Sequence, residues 1–411
     1  MLPCRSATFS KSVAGGKRWE VCFVYFYPIN IMDKQLDIIP LSKWLPTGNL
    51  PLVISGPCSA ETHAQVMDTA RKLSAIPQVK VFRAGLWKPR TRPSAFEGVG
   101  EVGLQWLKDV QQETGLLTAV EVARPEHVEA CLKNNVDILW LGARTVVNPF
   151  SVQELSEVLK GVDIPVMVKN PLNPDISLWL GALERLNQAG IRKLAAIHRG
   201  FYYYRHALYR NQPMWEVPIE LQRQVPDLPV ICDPSHISGR RDLLLQVSQK
   251  ALDLEMAGLM IESHCDPDHA LTDANQQITP SELERLLGSL IVRQTRGNKE
   301  FETKLEMLRR EIDKMDAELL DILSRRMQIV DEIGQYKKEN NITILQIRRW
   351  SDIIFDRLNL GSRIGLDREF LLQMLQLVHE ESIRRQESIM SPREIVIPET
   401  EKTDEEKDLL E

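Results

Sequence analysis

Four residues of unlike chemistry sit at the ends of apolar runs or in the loops just after them: Cys58, His236, Glu262 and Asp273. One thiolate, one imidazole and two carboxylates suit a divalent transition ion of the Mn, Fe, Co or Zn class. The soft and borderline ligands disfavour magnesium, and the mixed set is unlike a closed structural zinc site. His264 and Cys265 follow Glu262 so closely that spacing alone leaves them as rival ligands. A second set is cationic: Arg83, Lys88, Arg144, Lys169 and Arg199, with Glu121 and Asp233 among them. Converging guanidinium forks and ammonium groups suit an anion with several acceptor oxygens, such as a phosphate plus a carboxylate. A third feature is Arg326, which interrupts an apolar series at 305, 308, 312, 315, 319, 322, 329, 333 and 336. An arginine in such a seam either snorkels to water or pairs with an anion.

The first two sets need a scaffold that delivers one ionisable group after another to one place. From residue 52 to 263 the chain alternates short apolar runs with helix-length segments. The runs are "LVIS" (52–55), "VKVFRA" (79–84), "LLTAVEV" (116–122), "ILWLGA" (138–143), "PVMVKN" (165–170), "KLAAIHR" (193–199), "PVICDP" (229–234) and "GLMIES" (258–263). Continuous apolar runs of this length read as parallel strands buried on both faces. Eight of them predict a (β/α)8 barrel, whose functional groups lie at the C-terminal strand ends. A doubly wound open sheet is the alternative, but no GxGxxG follows the first strand. After residue 300 the pattern turns helical, with the heptad-like spacing of a helix that packs on partner helices.

Composition sets the limits. The chain has 411 residues, 43% of them apolar and 26% charged, and carries a net charge of −6. That favours a soluble protein of two or three domains and disfavours a nucleic-acid partner. The six cysteines show no framework spacing, which points to a reducing, cytoplasmic setting. No apolar run is long enough to span a membrane. The segment "VCFVYFYPINI" (21–31) lacks a small-residue cleavage site, so residues 1–34 are expected to be an extension, with Met32 as a natural start. The expected boundaries are a barrel at 35–292, a linker at 293–300, a helical domain at 301–391 and an acidic tail at 392–411.

Six motifs in order, "SGPCSAE" (55–61), "FRAGLWKPRTRPSAFEG" (82–98), "LGARTVVNP" (141–149), "IHRG" (197–200), "DPSHISGRR" (233–241) and "GLMIESHCDPDHALTDANQQ" (258–277), make residues 35–290 resemble the 3-deoxy-D-arabino-heptulosonate 7-phosphate (DAHP) synthases of type I beta. The resemblance implies condensation of phosphoenolpyruvate with erythrose 4-phosphate. It implies one divalent metal on Cys58, His236, Glu262 and Asp273. It also implies a phosphoenolpyruvate site on Arg83, Lys88, Arg144, Lys169 and Arg199 beside Glu121, with Arg90 and Thr91 of "KPRT" on the aldose phosphate. Lys88, Cys58 and His236 carry the catalytic roles in that reading. A sister family that makes 3-deoxy-D-manno-octulosonate 8-phosphate has "KANRS" in place of "KPRT", so the four-carbon aldose is favoured.

"LEMLRREIDKMDAELLDILSRRMQIVDEIGQYKK" (305–338) and "LQLVHEESIRRQ" (375–386) resemble the first and last helices of the all-helical chorismate mutases. That resemblance implies roles for Arg309, Arg326, Lys337, Arg349 and Gln386, with Arg326 and Lys337 catalytic. Gln346 and Trp350 stand where a bacterial member has an aspartate and a glutamate, and the second change bears on mutase efficiency. Arg309 and Arg326 should lie about 25 Å apart on one helix. A small dicarboxylate meets both only if two chains pair, so a homodimer through the helices is expected. Fusion of an early and a later enzyme suggests feedback, with prephenate as the regulator. The competing expectations are a synthase whose helices only dimerise and sense a ligand, the sister octulosonate activity, and a non-catalytic regulator.

Overall fold

The apolar runs close on themselves. In the computed structural model, which describes residues 36–45, 51–88, 96–204, 208–293, 297–344 and 347–390 without the side chains of 347–352, eight parallel strands form a closed barrel in chain order. They are β1 (Leu52–Gly56), β2 (Val79–Ala84), β3 (Leu117–Val122), β4 (Ile138–Leu141), β5 (Val166–Lys169), β6 (Leu194–His198), β7 (Val230–Cys232) and β8 (Gly258–Glu262). β1 pairs with β8 from Leu52↔Gly258 to Gly56↔Glu262, which seals the barrel and rules out the open sheet.

Two cores follow from the strand alternation. Leu52, Ile54, Val81, Ala119, Ile138, Trp140, Met167, Ala195, Ile197, Ile231 and Met260 fill the barrel interior. Val53, Phe82, Val120, Leu139, Val168 and Leu259 face the surrounding helices. The inward series then runs on by twos, from Val81 to Arg83, Ala119 to Glu121, Met167 to Lys169, Ile197 to Arg199, Ile231 to Asp233 and Met260 to Glu262. The same pleat that builds the core therefore delivers the ionisable groups to its C-terminal rim.

The chain divides into two units, Met1–Thr295 and Arg296–Glu411. In the second unit, α1 (Lys299–Glu339), α2 (Ile347–Arg363) and α3 (Arg368–Met390) pack α1 on α3 and α2 on α3. Arg385 reaches Asp331 at 2.7 Å and ties α3 to α1. Among the described residues, Met327, Val330, Leu358 and Leu371 are the buried apolar side chains of this unit. The apolar series of α1 is mostly exposed: Ile312 is 56% and Leu319 50% accessible. No described helix is long and apolar enough to cross a membrane. The expected N-terminal extension and acidic tail, together with Arg90, Thr91, Gln346 and the side chains of Arg349 and Trp350, lie outside the described residues.

Candidate active site and metal centre

Trp140 of β4 is the floor of the barrel mouth. Its indole N–H donates to Glu121 Oε2 at 3.2 Å. Arg83 lies over its ring at 5.0 Å and Lys169 at 5.9 Å, within reach of cation–π attraction. Gly142, just after β4, leaves room for the Glu121 carboxylate, which a Cβ there would meet at 2.0 Å and displace. Gly85 is constrained more firmly, because a Cβ there would lie 2.5 Å from the Cys58 backbone carbonyl as well as 2.2 Å from Lys88 Nζ.

Cys58, Glu262 and Asp273 bring their ligand atoms within 4.8 Å of one another. His236 Nε2 lies 3.8 Å from Glu262 Oε1, outside that tight triad but on its edge. The other nitrogen, Nδ1, is paired with Asp233 Oδ2 at 2.8 Å, which orients the ring so that Nε2 faces the cluster. Asp233 in turn pairs with Lys169 at 2.9 Å. Glu262 Oε1 accepts from Arg83 at 2.9 Å and Oε2 from Gln276 at 2.7 Å. Cys58 Sγ is 3.5 Å from Asp273 Oδ2 and 3.4 Å from Lys88 Nζ. Asp273 holds a positive φ of 49°, a backbone state uncommon outside glycine and tolerated by Asp. The donor set and its spacing fit one divalent transition ion. The rival ligands fall outside the triad among the described residues: His264 is buried with Nε2 3.6 Å from Glu61, and Cys265 Sγ lies 4.0 Å from His264 Nδ1.

The electrostatics are those of a desolvated, mutually compensated cluster. Burial, reinforced by Glu262, pushes the Cys58 thiol up to about 11. Burial lowers His236 against the pull of Asp233. For Asp233 burial works upward, but His236 and Lys169 outweigh it and hold the carboxyl well below its usual range. Burial likewise opposes the charge on Arg83, yet Glu262 keeps it raised. The opening is lined by Cys58, Lys88, Glu121, Arg144, Lys169, Arg199, His236 and Asp273, so members of both sequence-derived sets face one space, with Arg83 and Glu262 buried behind them.

Residues 43–296 match the DAHP synthetase I family. The chain belongs to that family. Residues 308–387 match chorismate mutase type II. The phospho-2-dehydro-3-deoxyheptonate aldolase of Thermotoga maritima is 32% identical over 55% of this chain and 64% of its own length, so this chain spans less than two thirds of it. A solved structure of the DAHP synthase from Thermotoga maritima superimposes with a TM-score of 0.53 at 30% identity, over 58% of this chain and 67% of that one. The 2-dehydro-3-deoxyphosphooctonate aldolase of Syntrophotalea carbinolica is 26% identical over 59% of this chain and 91% of its own.

The helical unit gathers a smaller constellation. Arg326 on α1 donates to Ser382 Oγ at 2.8 Å, and Gln386 lies one turn further along α3, its amide donating to the Ser382 carbonyl at 3.2 Å. The Gln386 side-chain carbonyl is buried with no partner. Lys337 donates to the Ile344 carbonyl, and Arg309 is exposed. Sequence reasoning missed Ser382, although its four-residue spacing from Gln386 places both on one helix face. It also missed Gln276, Gln277, Arg210 and Asn211 in the barrel. Gln277 accepts from the Cys58 amide at 2.8 Å. A neutral amide or a loop arginine carries no signal in composition or spacing; only the fold shows what it touches.

Proposed function

We propose that the barrel condenses phosphoenolpyruvate with erythrose 4-phosphate to give DAHP and phosphate, the entry step to aromatic compounds. The observation that carries this reading is the convergence of Cys58, Glu262 and Asp273 with His236 at their edge, beside the cations lining the same opening. Bound by Cys58, His236, Glu262 and Asp273, a divalent ion of the Mn, Fe, Co or Zn class supplies Lewis-acid polarisation of the aldehyde oxygen. The remaining chemistry belongs to this chain's own groups. Arg83, Lys88, Arg144, Lys169 and Arg199 bind the phosphate and carboxylate of phosphoenolpyruvate and hold its enol carbon toward the aldehyde. Arg90 and Thr91 bind the aldose phosphate. Glu121, fixed by Trp140, stands beside the enol carbon where positive character develops and water adds. Much of the acceleration is positioning in a partly desolvated site. Steady-state kinetics test the aldose: erythrose 4-phosphate should exceed arabinose 5-phosphate in kcat/KM by at least about 100-fold. Equal values would move the assignment to the octulosonate reaction.

The helical unit rearranges chorismate to prephenate in this reading, with Arg326, Lys337, Arg349 and Gln386 holding the dicarboxylate. Burial and the neighbouring Arg357 both press Arg326 below its ordinary value, the environment of a cation placed to meet an anion. The exposed apolar series of α1 supports a homodimer through this unit, which would bring Arg309 of a second copy within reach. Feedback by prephenate on the synthase follows if that ligand favours one arrangement of the chain over another. The four described cysteines are free thiols, which supports a cytoplasmic setting.

A further inference from the structure

Two consecutive side chains outside the proposed ligand set touch both halves of the barrel-mouth site. Arg210 donates to Asp273 Oδ1 at 3.0 Å and to Gln276 Oε1 at 2.7 Å. Gln276 passes the contact on to Glu262 Oε2 at 2.7 Å. Asn211 is buried, accepts from Arg199 at 2.8 Å and donates to the His236 carbonyl at 2.6 Å. Their own backbone is fixed. The Arg210 amide donates to the Ser238 carbonyl at 3.3 Å and the Asn211 amide to that of Ile237 at 3.1 Å. Gly239, at φ 66°, leaves room for the Arg210 stem, which a Cβ there would meet at 2.4 Å.

The choice of atoms matters. Arg210 takes the Asp273 oxygen that faces away from the cluster, while Oδ2 is turned to Cys58. The arginine thus orients this carboxylate without occupying its inner oxygen. Asn211 joins an anion-binding arginine to the backbone of a metal-binding histidine. An anion that draws on Arg199 is therefore linked through one amide to His236.

We infer that Arg210 and Asn211 are positioning residues that couple the two halves of the site: Arg210 sets Asp273 for the metal, and Asn211 transmits occupancy of the anion pocket to it. The inference rests on the metal and phosphoenolpyruvate sites proposed above. Linkage requires reciprocity, so phosphoenolpyruvate should tighten metal binding by the same factor that metal tightens phosphoenolpyruvate.

The test is calorimetric titration of the metal-stripped full chain with Mn(II), with and without saturating phosphoenolpyruvate, corrected for Mn(II) bound by phosphoenolpyruvate in solution. In the unaltered chain phosphoenolpyruvate should tighten Mn(II) binding by about 10-fold. Arg210→Ala should weaken Mn(II) binding by about 10- to 100-fold, the usual cost of losing a group that orients a metal ligand. Arg210→Lys, which keeps the charge but loses the fork, should fall between. Asn211→Ala should bind Mn(II) within about 3-fold of the unaltered chain yet lose the tightening by phosphoenolpyruvate. If an alanine variant fails to fold by circular dichroism, Arg210→Lys and Asn211→Ser carry the same comparison. Equal or tighter binding in Arg210→Ala would mean that its charge repels the ion more than its contact helps, and would overturn the role. Tightening retained in Asn211→Ala would make the coupling purely through-space and overturn it too. Cys58→Ser separates the two levels. If it binds Mn(II) like the unaltered chain, the metal-site reading falls; if it loses binding while Arg210→Ala does not, only the present inference falls.

Discussion

The barrel mouth and the helical unit both collect cations, and Arg83 and Lys169 are held differently from Arg326. In the barrel, Arg83 pairs with Glu262 and Lys169 with Asp233, all four buried. Each charge is compensated before any ligand arrives, and removing one partner would leave the other stranded at a cost of about 3–5 kcal/mol. In the helical unit, Arg326 bonds to a hydroxyl, and its charged neighbour is another arginine. The barrel mouth brings these groups together within one chain. The helices leave most of the α1 apolar series exposed, and Arg326 meets a neutral hydroxyl where the two barrel cations meet carboxylates.

The sharpest way to break that comparison is to remove a metal-binding group. Cys58→Ala and His236→Ala should each lower phosphate release from phosphoenolpyruvate by more than about 1,000-fold while chorismate consumption is unchanged. Loss of both activities in a folded variant would show that the two sites are one system. Next in size, Arg326→Ala should lower chorismate consumption by about 100- to 1,000-fold, the scale of one lost charge-stabilising donor. It should also abolish any response of the synthase to prephenate. Inhibition by prephenate that persists in Arg326→Ala would place the sensor at the barrel. A charge placed on the exposed series, Leu319→Glu, should shift the chain from dimer to monomer in sedimentation. It should cost mutase activity and leave the synthase within about 3-fold of normal.

The smallest effect concerns pH and belongs to the barrel. Burial drives His198, packed against Phe201 and Trp215, from its ordinary 6.5 down to about 3. Between those values the unfolded chain binds a proton that the folded barrel refuses. This contribution to stability is complete above pH 6.5 and is lost as pH falls through that window, by up to about 1.4 kcal/mol per unit. His198→Phe should flatten the slope of the urea midpoint between pH 7 and pH 5; an unchanged slope would assign acid sensitivity to other groups.

The barrel was legible because eight continuous apolar runs recur at helix-length spacing, and nearly every one ends at an ionisable group. Cys58 and Glu262 could be picked out as unlike donors at a strand end or just past it. The choice between Asp273 and the nearer His264 and Cys265 was not legible, since it depends on a loop that returns with a positive φ at Asp273. Arg210, Asn211 and the two glutamines were silent because their meaning lies wholly in contacts across long sequence separations. The helical seam was legible as a series with Arg326 in its gap. Ser382 was not, because a serine on a helix shows nothing until its partner arginine is in place.

The central claim is that the cluster around Cys58 makes the barrel a metal-dependent synthase. It is tested most directly by phosphate release from phosphoenolpyruvate and erythrose 4-phosphate, measured before and after exhaustive chelation and again after Mn(II) is restored. The account predicts turnover that disappears with chelator, returns with the metal, and does not return in Cys58→Ala. Turnover that survives chelation unchanged, or that Cys58→Ala recovers in full, would contradict it.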